Sequence, residues 1–172
     1  MENQLIAITG FMASGKTTVG RALAGSLDCE FIDLDELISA QQKESIKSII
    51  ETEGEDRFRK IEAATLRQVL QMRGVLVIAL GGGAWTRSEN REMLCKRAAF
   101  TVWLDASFEL CWQRIEAAGE GRPLAGTRDQ AHQLYLERRP VYELAQKRLA
   151  CEGKDAAEIA QELAAACLNR DQ

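Results

Sequence analysis

The sequence predicts an α/β protein, a three-layer sandwich built on a five-stranded parallel sheet. Three observations carry that expectation. Short apolar-rich runs, LIAIT (5–9), EFIDL (30–34), VLVIAL (75–80), AFTVWL (99–104) and KRLAC (147–151), recur along the chain. Longer amphipathic stretches separate them, and strand–helix alternation marks crossover units whose strands are covered on both faces. The composition, 46% hydrophobic and 28% charged over 172 residues, is that of one globular domain large enough to bury a proper core.

The elements justify themselves in order. GKTTVGRALAGSL (15–27) reads as the helix after the first strand. After the second strand, DELISAQQ, SIKSIIETEG and EDRFRKIEAATLRQVLQM read as successive helices up to Met72. RSENREMLCKR (87–97) is a helix after the third strand, with Thr86 and Glu89 spaced as a capping box. SFELCWQRIEAA (107–118) follows the fourth strand, and GEGRPLAGT (119–127) has the Gly and Pro density of a loop. A polar helix is expected over about 128–146, with Pro140 signalling a kink or break. DAAEIAQELAAACL closes the chain as a helix. No repeat, low-complexity tract or linker divides residues 1–172, so a single domain is expected.

Charge and composition exclude several classes. A net charge of −4 argues against a nucleic-acid binder, which shows a basic surplus. No apolar run approaches the ~18 residues of a membrane helix, and MENQLIAITG lacks the features of a secretory signal. The scattered cysteines (Cys29, Cys95, Cys111, Cys151, Cys167) are expected to be reduced and mostly buried in a cytoplasmic, monomeric protein. The single histidine, His132, is expected at the surface.

Ligands of parallel α/β sheets bind beyond the carboxyl ends of the strands, and the informative residues lie there. After LIAIT comes the pattern G-x-x-x-x-G-K-[ST], from Gly10 through Gly15, Lys16 and Thr17. Backbone N–H groups of such a loop and the following helix N-terminus surround a phosphate. The lysine reaches the outer phosphates of a nucleoside triphosphate, and the hydroxyl is a Mg²⁺ ligand. No N-K-x-D base-reading motif of a switch GTPase is present.

After the second strand, Asp33 and Asp35 stand at i and i+2, which strand periodicity points to one side. Such acids can hold Mg²⁺ through water and orient or deprotonate an accepting hydroxyl. A structural alternative has Asp33 ending the strand and Asp35 capping the next helix. Arg59 and Glu62 share a helix face at i,i+3, while Arg57 and Lys60 point elsewhere. Arg122 sits in the Gly-rich loop, and Arg138 and Arg139 precede Pro140. Arginine forks suit carboxylates and phosphates. After the third strand, Gly81, Gly82 and Gly83 imply either a hard turn or the close approach of a ligand to bare backbone.

Together these residues resemble a family. GFMASGKTTVGRALA, FIDLDELI, GEDRFRKIE, LGGGAW, GRPL and ERRPVYE stand in the order and spacing of bacterial shikimate kinases, over essentially the whole chain. The resemblance implies a P-loop fold like that of nucleoside monophosphate kinases, with a mobile lid over about 116–127 and a substrate-binding helical segment over about 34–62. It implies transfer of the γ-phosphoryl of ATP to the 3-hydroxyl of shikimate, in chorismate and aromatic amino acid biosynthesis. By the same resemblance, Ala13, Ser14, Gly15, Lys16, Thr17 and Thr18 serve ATP, with Arg114 and Lys154 bordering the adenine. Thr17 and, through water, Asp33 hold Mg²⁺. Asp35 binds ring hydroxyls and is the base, and Arg59 and Arg138 clamp the shikimate carboxylate, with Arg138 preferred to Arg139. Glu62 supports Arg59, Gly81–Gly83 face the substrate, and Lys16 and Arg122 stabilise the transferring phosphoryl group. The chain departs from the pattern at Leu34, at Ile50 and in CEGKDAAE (151–158). Rival readings are another small-molecule kinase, such as a gluconate or nucleoside monophosphate kinase, and a non-catalytic nucleotide-binding regulator.

Overall fold

The computed structural model describes residues 4–74, 76–118 and 126–168. Its elements run β1 (Leu5–Thr9), α1 (Lys16–Leu27), β2 (Glu30–Asp33), α2 (Leu34–Gln42), α3 (Ile46–Glu53), α4 (Glu55–Val69), β3 (Leu76–Ala79), α5 (Ser88–Lys96), β4 (Phe100–Asp105), α6 (Phe108–Ala117), α7 (Arg128–Tyr142), β5 (Lys147–Ala150) and α8 (Ala156–Leu168). The strands form one sheet in the order β2-β3-β1-β4-β5, and each neighbouring pair is parallel.

The unbroken apolar runs become the inner strands. Every residue of β1, β3 and β4 is buried, as strands covered on both faces require. Ile6, Ile8, Val77, Ile78 and Val102 are fully enclosed. Truncating one such isoleucine to alanine would cost about 2–5 kcal/mol in lost transfer energy and cavity formation. The outer strands β2 and β5 are partly exposed. Helix α8 packs against α1, its Ile159, Leu163 and Cys167 buried. The chain moves outward from β1 to β2, returns to β3, then crosses to β4 on the other flank of β1. That reversal opens a crevice at the carboxyl end of the central strand, where the phosphate loop begins.

Several local expectations need correction. Asp33, not Asp35, caps α2: its carboxylate accepts from the N–H groups of Asp35 and Glu36. Asp35 therefore lies in the first helical turn, and strand alternation does not govern its direction. No Thr86–Glu89 capping box forms, and α5 starts after Arg87 without a side-chain cap. Thr86 is already committed to the preceding turn, where its hydroxyl donates to the Gly83 carbonyl at 2.7 Å. Helix α7 ends at Tyr142 rather than near 146, because the next residues tighten into turns with Leu144 and Ala145 bonded three residues back. Pro140 lies inside this last stretch, so the break comes after it. A true capping box opens the same helix at Thr127 and Gln130.

His132 is exposed, with its ring tilted against Phe108 at 4.6 Å. Of the five cysteines, Cys111, Cys151 and Cys167 are buried, Cys29 is half-buried and Cys95 exposed. Among the described residues, no helix is long and apolar enough to cross a membrane.

Candidate active site

One cavity of about 920 Å³ opens along the carboxyl ends of β1, β2 and β3. Its volume is at the upper end of the range for ligand pockets, large enough for two ligands. The residues selected from sequence, other than Arg122, all line it: the segment Ala13–Thr18, Asp33, Asp35, Arg59, Glu62, Gly81–Gly83, Arg114, Arg138 and Lys154. Arg122 and most of the expected lid, 119–125, lie outside the described residues.

The nucleotide end is made of backbone. Gly10 has φ +146°, and a Cβ there would approach the Leu104 carbonyl oxygen to 2.8 Å, so only glycine lets the chain leave β1 this way. Lys16 turns back over the loop and donates to the carbonyls of Gly10 at 3.0 Å and Phe11 at 2.8 Å. Arg114 crosses from α6 to donate to the Ala13 carbonyl at 3.0 Å. Lys154 pairs with Glu162 at the rim. The Thr17 hydroxyl donates to Asp33 Oδ2 at 2.6 Å, joining the start of α1 to the end of β2. Among the described residues, no group of three or more His, Cys, Asp or Glu side chains forms a ready metal cage. Thr17 and Asp33 are nonetheless the hard oxygen donors that suit a magnesium ion shared with phosphates.

The acceptor end is made of side chains laid over the glycine turn. None of Gly81, Gly82 and Gly83 has the positive φ that a glycine-only turn would demand. What requires them is space. A Cβ at Gly81 would come to 2.5 Å from an Asp35 carboxylate oxygen, and one at Gly83 to 2.5 Å from the Arg59 guanidinium. At Gly82 it would meet Arg138 at 3.4 Å and the Met12 N at 3.6 Å. One acidic and two basic side chains, from α2, α4 and α7, thus rest on three successive bare peptides.

Electrostatics follow from this crowding. Burial, then the neighbouring Asp33, push the Asp35 carboxyl above the ordinary aspartate range, against the pull of Lys16 and Arg59. A carboxylate held this way is a better proton acceptor than an exposed one. Glu62 is 1% exposed, and burial raises its carboxyl to about 6 although Arg59 opposes the shift. Arg59 donates to both Glu62 oxygens at 3.0 and 3.1 Å through Nη1, and to Glu55 through Nε and Nη2 at 3.2 and 3.0 Å. Burial works against its charge, but the two glutamates hold its pKa above the usual arginine value. Arg57 pairs outward with Glu53, and Arg139 turns away to Asp105 at 2.7 Å.

Two residues of this site were not singled out in the sequence. Glu55 stands at i−4 from Arg59, and Tyr142 at i+4 from Arg138. Both offsets place side chains on one helix face, which was the available signal, but surface pairs share it.

A phosphate loop on a five-stranded parallel sheet, facing an arginine- and acid-lined acceptor pocket, defines a P-loop kinase of small molecules. The family model for shikimate kinase matches residues 12–168. A shikimate kinase of Oceanobacillus iheyensis is 35% identical over 166 residues, covering 95% of this chain and 90% of that protein. The structure titled "Shikimate kinase from Acinetobacter baumannii in complex with shikimate" matches with a TM-score of 0.90 at 35% identity, over 98% of this chain and 94% of that one. A gluconokinase from Sinorhizobium meliloti, at 23% identity and a TM-score of 0.69, shares the fold alone. The chain belongs to the shikimate kinase family.

Proposed function

We propose that ATP and shikimate lie end to end in this cavity, and that the side chains resting on Gly81–Gly83 present the shikimate hydroxyl to the γ-phosphate. The chain is an ATP-dependent kinase that phosphorylates shikimate. The observation that carries the residue assignment is the convergence of Asp35, Arg59 and Arg138 on one glycine turn beside the phosphate loop.

The roles follow from the chemistry of each group. Arg59 and Arg138 bind the substrate carboxylate, Arg59 being stiffened by Glu62. Asp35 accepts the proton of the attacking 3-hydroxyl, which its raised affinity for protons favours. Lys16 exchanges its loop carbonyls for the phosphates and neutralises charge as the phosphoryl group moves. Thr17 and Asp33 would hold Mg²⁺, which when bound with ATP neutralises the β- and γ-phosphates. Arg122 keeps the lid role given by the resemblance, closing over the phosphates and excluding water.

A coupled ADP-release assay tests the reading. Shikimate is expected to drive ADP release, with gluconate and nucleoside monophosphates inactive. Faster turnover of gluconate, or ADP release independent of any acceptor, would overturn it.

A further inference from the structure

Tyr142 ends α7 with its side chain 1% exposed, against the third-strand turn. Its hydroxyl donates to the Gly82 carbonyl at 2.6 Å; burial raises its pKa, and the charge of the nearby Arg138 opposes that rise. Arg138 is one helical turn earlier on the same face, and its Nη1 hangs 3.4 Å from the place a Gly82 Cβ would take. A second bond fixes the same corner: the Trp85 indole N–H donates to the Val141 carbonyl at 2.8 Å. The Tyr142 ring stacks on Trp103 of β4, with centroids 6.2 Å apart.

We propose that Tyr142 is a positioning residue for the acceptor site, relaying the Gly82 carbonyl to Arg138 and so fixing where Arg138 meets the substrate carboxylate. A buried hydroxyl with one proton can donate once, and that proton is spent on Gly82. Its remaining capacity is as an acceptor, which suits a guanidinium and nothing anionic. Arginine alone has a long, rotamer-rich stem, and without an anchor it would be ordered only as substrate binds. The tyrosine orders it beforehand, from the same turn that carries the other acceptor groups. Arg139, next in sequence, is held in the opposite direction by Asp105 and Tyr135. On this proposal the two arginines are parted by separate anchors, with Tyr142 serving the one facing the cavity.

This inference rests on the assignment of Arg138 to the substrate carboxylate, and the test separates the two. Tyr142→Phe keeps the ring on Trp103 and removes the hydroxyl. It is expected to raise the KM for shikimate roughly tenfold, the effect of one charge-assisted hydrogen bond, with kcat altered less than threefold and the KM for ATP unchanged. In an Arg138→Ala background the same substitution should add no further rise. Tyr135→Phe is the comparison, since it deletes another α7 hydroxyl that donates to a backbone carbonyl, that of Ala106 at 3.1 Å. It should lower Tm and leave the shikimate KM within twofold.

An unchanged KM in Tyr142→Phe, with Arg138→Ala impaired, overturns the relay but keeps the site assignment. An equal rise in both backgrounds assigns Tyr142 to the turn alone and also overturns the relay. If Arg138→Ala itself leaves the shikimate KM unchanged, the carboxylate assignment fails. Should Tyr142→Phe not fold, Tyr142→Leu, which also lacks the hydroxyl, is measured in its place, with an unaltered KM again counting against the relay.

Discussion

The two ends of the cavity are built in opposite ways. The phosphate-loop end is dominated by one continuous stretch, Met12 to Thr18, which presents backbone and the start of α1 to the cavity, with Asp33, Arg114 and Lys154 beside it. The acceptor end draws single side chains from α2, α4 and α7, and its backbone contributes by being bare. A contiguous loop fixes its own geometry, whereas a convergent site depends on the packing of three helices against one turn. Substitutions should therefore damage the two ends through different measurable quantities.

The largest effect is expected where the ends meet. Asp35→Asn should lower kcat by about 10²–10⁴, the worth of a general base, while calorimetric ATP affinity stays unchanged. A loss of ATP binding in this variant would dissolve the distinction between the ends. Arg59→Ala comes next: it should weaken shikimate binding by ~2–5 kcal/mol, as expected when a buried charge pair is broken. Isothermal titration with shikimate is the check, and an unaltered affinity would remove Arg59 from the carboxylate site.

The glycines sharpen the contrast further. Gly83→Ala displaces the end of Arg59, and Gly81→Ala displaces the Asp35 carboxylate, both from 2.5 Å contacts. Each should cost about tenfold or more in kcat/KM by misplacing a reacting or binding group, with Gly82→Ala milder because its nearest atom is 3.4 Å away. The displaced atoms are ends of side chains, so thermal stability should fall little. Simple unfolding of Gly83→Ala would instead make the turn a matter of fold alone.

The smallest effect is a pH dependence at Glu62, raised by burial to about 6 from an ordinary 4.5. Folding favours its protonated form, so this group's contribution to stability is present below 4.5 and lost as pH rises through about 6. The magnitude is about 2 kcal/mol at most. Activity runs the other way, because only the ionised carboxylate grips Arg59 fully. Shikimate kcat/KM should fall as pH drops through about 6, and Glu62→Gln should flatten that limb.

This contrast also explains what the sequence revealed. The phosphate loop was legible because all its information is local: a strand, fixed glycine spacing, and a helix. The inner strands were legible because burial on both faces makes them mostly apolar. The acceptor residues were selected by resemblance, since nothing local distinguishes Arg138 from Arg139. Arg139 is drawn away from the cavity by Asp105 on β4, a contact 34 residues away in sequence. Asp35 reached the cavity by a different route from the one expected, through the first turn of α2 rather than strand alternation. Local pairing rules also misjudged Thr86, whose hydroxyl was already used by the glycine turn.

The pairing of Arg59 with Glu55 has a consequence for selectivity. Glu62 is enclosed, but Glu55 is largely exposed, and it occupies the Nε–Nη2 edge of the guanidinium. That edge is one of the two on which a carboxylate can sit bidentately. An incoming acid can take over the edge, exchanging one carboxylate for another while Glu55 returns to water. A neutral polyol of similar size has no equivalent group to offer and would leave the internal pair closed. If Arg59 receives the substrate carboxylate as proposed, the helix would carry its own decoy ligand, and discrimination between acids and plain sugars would begin before any hydroxyl is recognised.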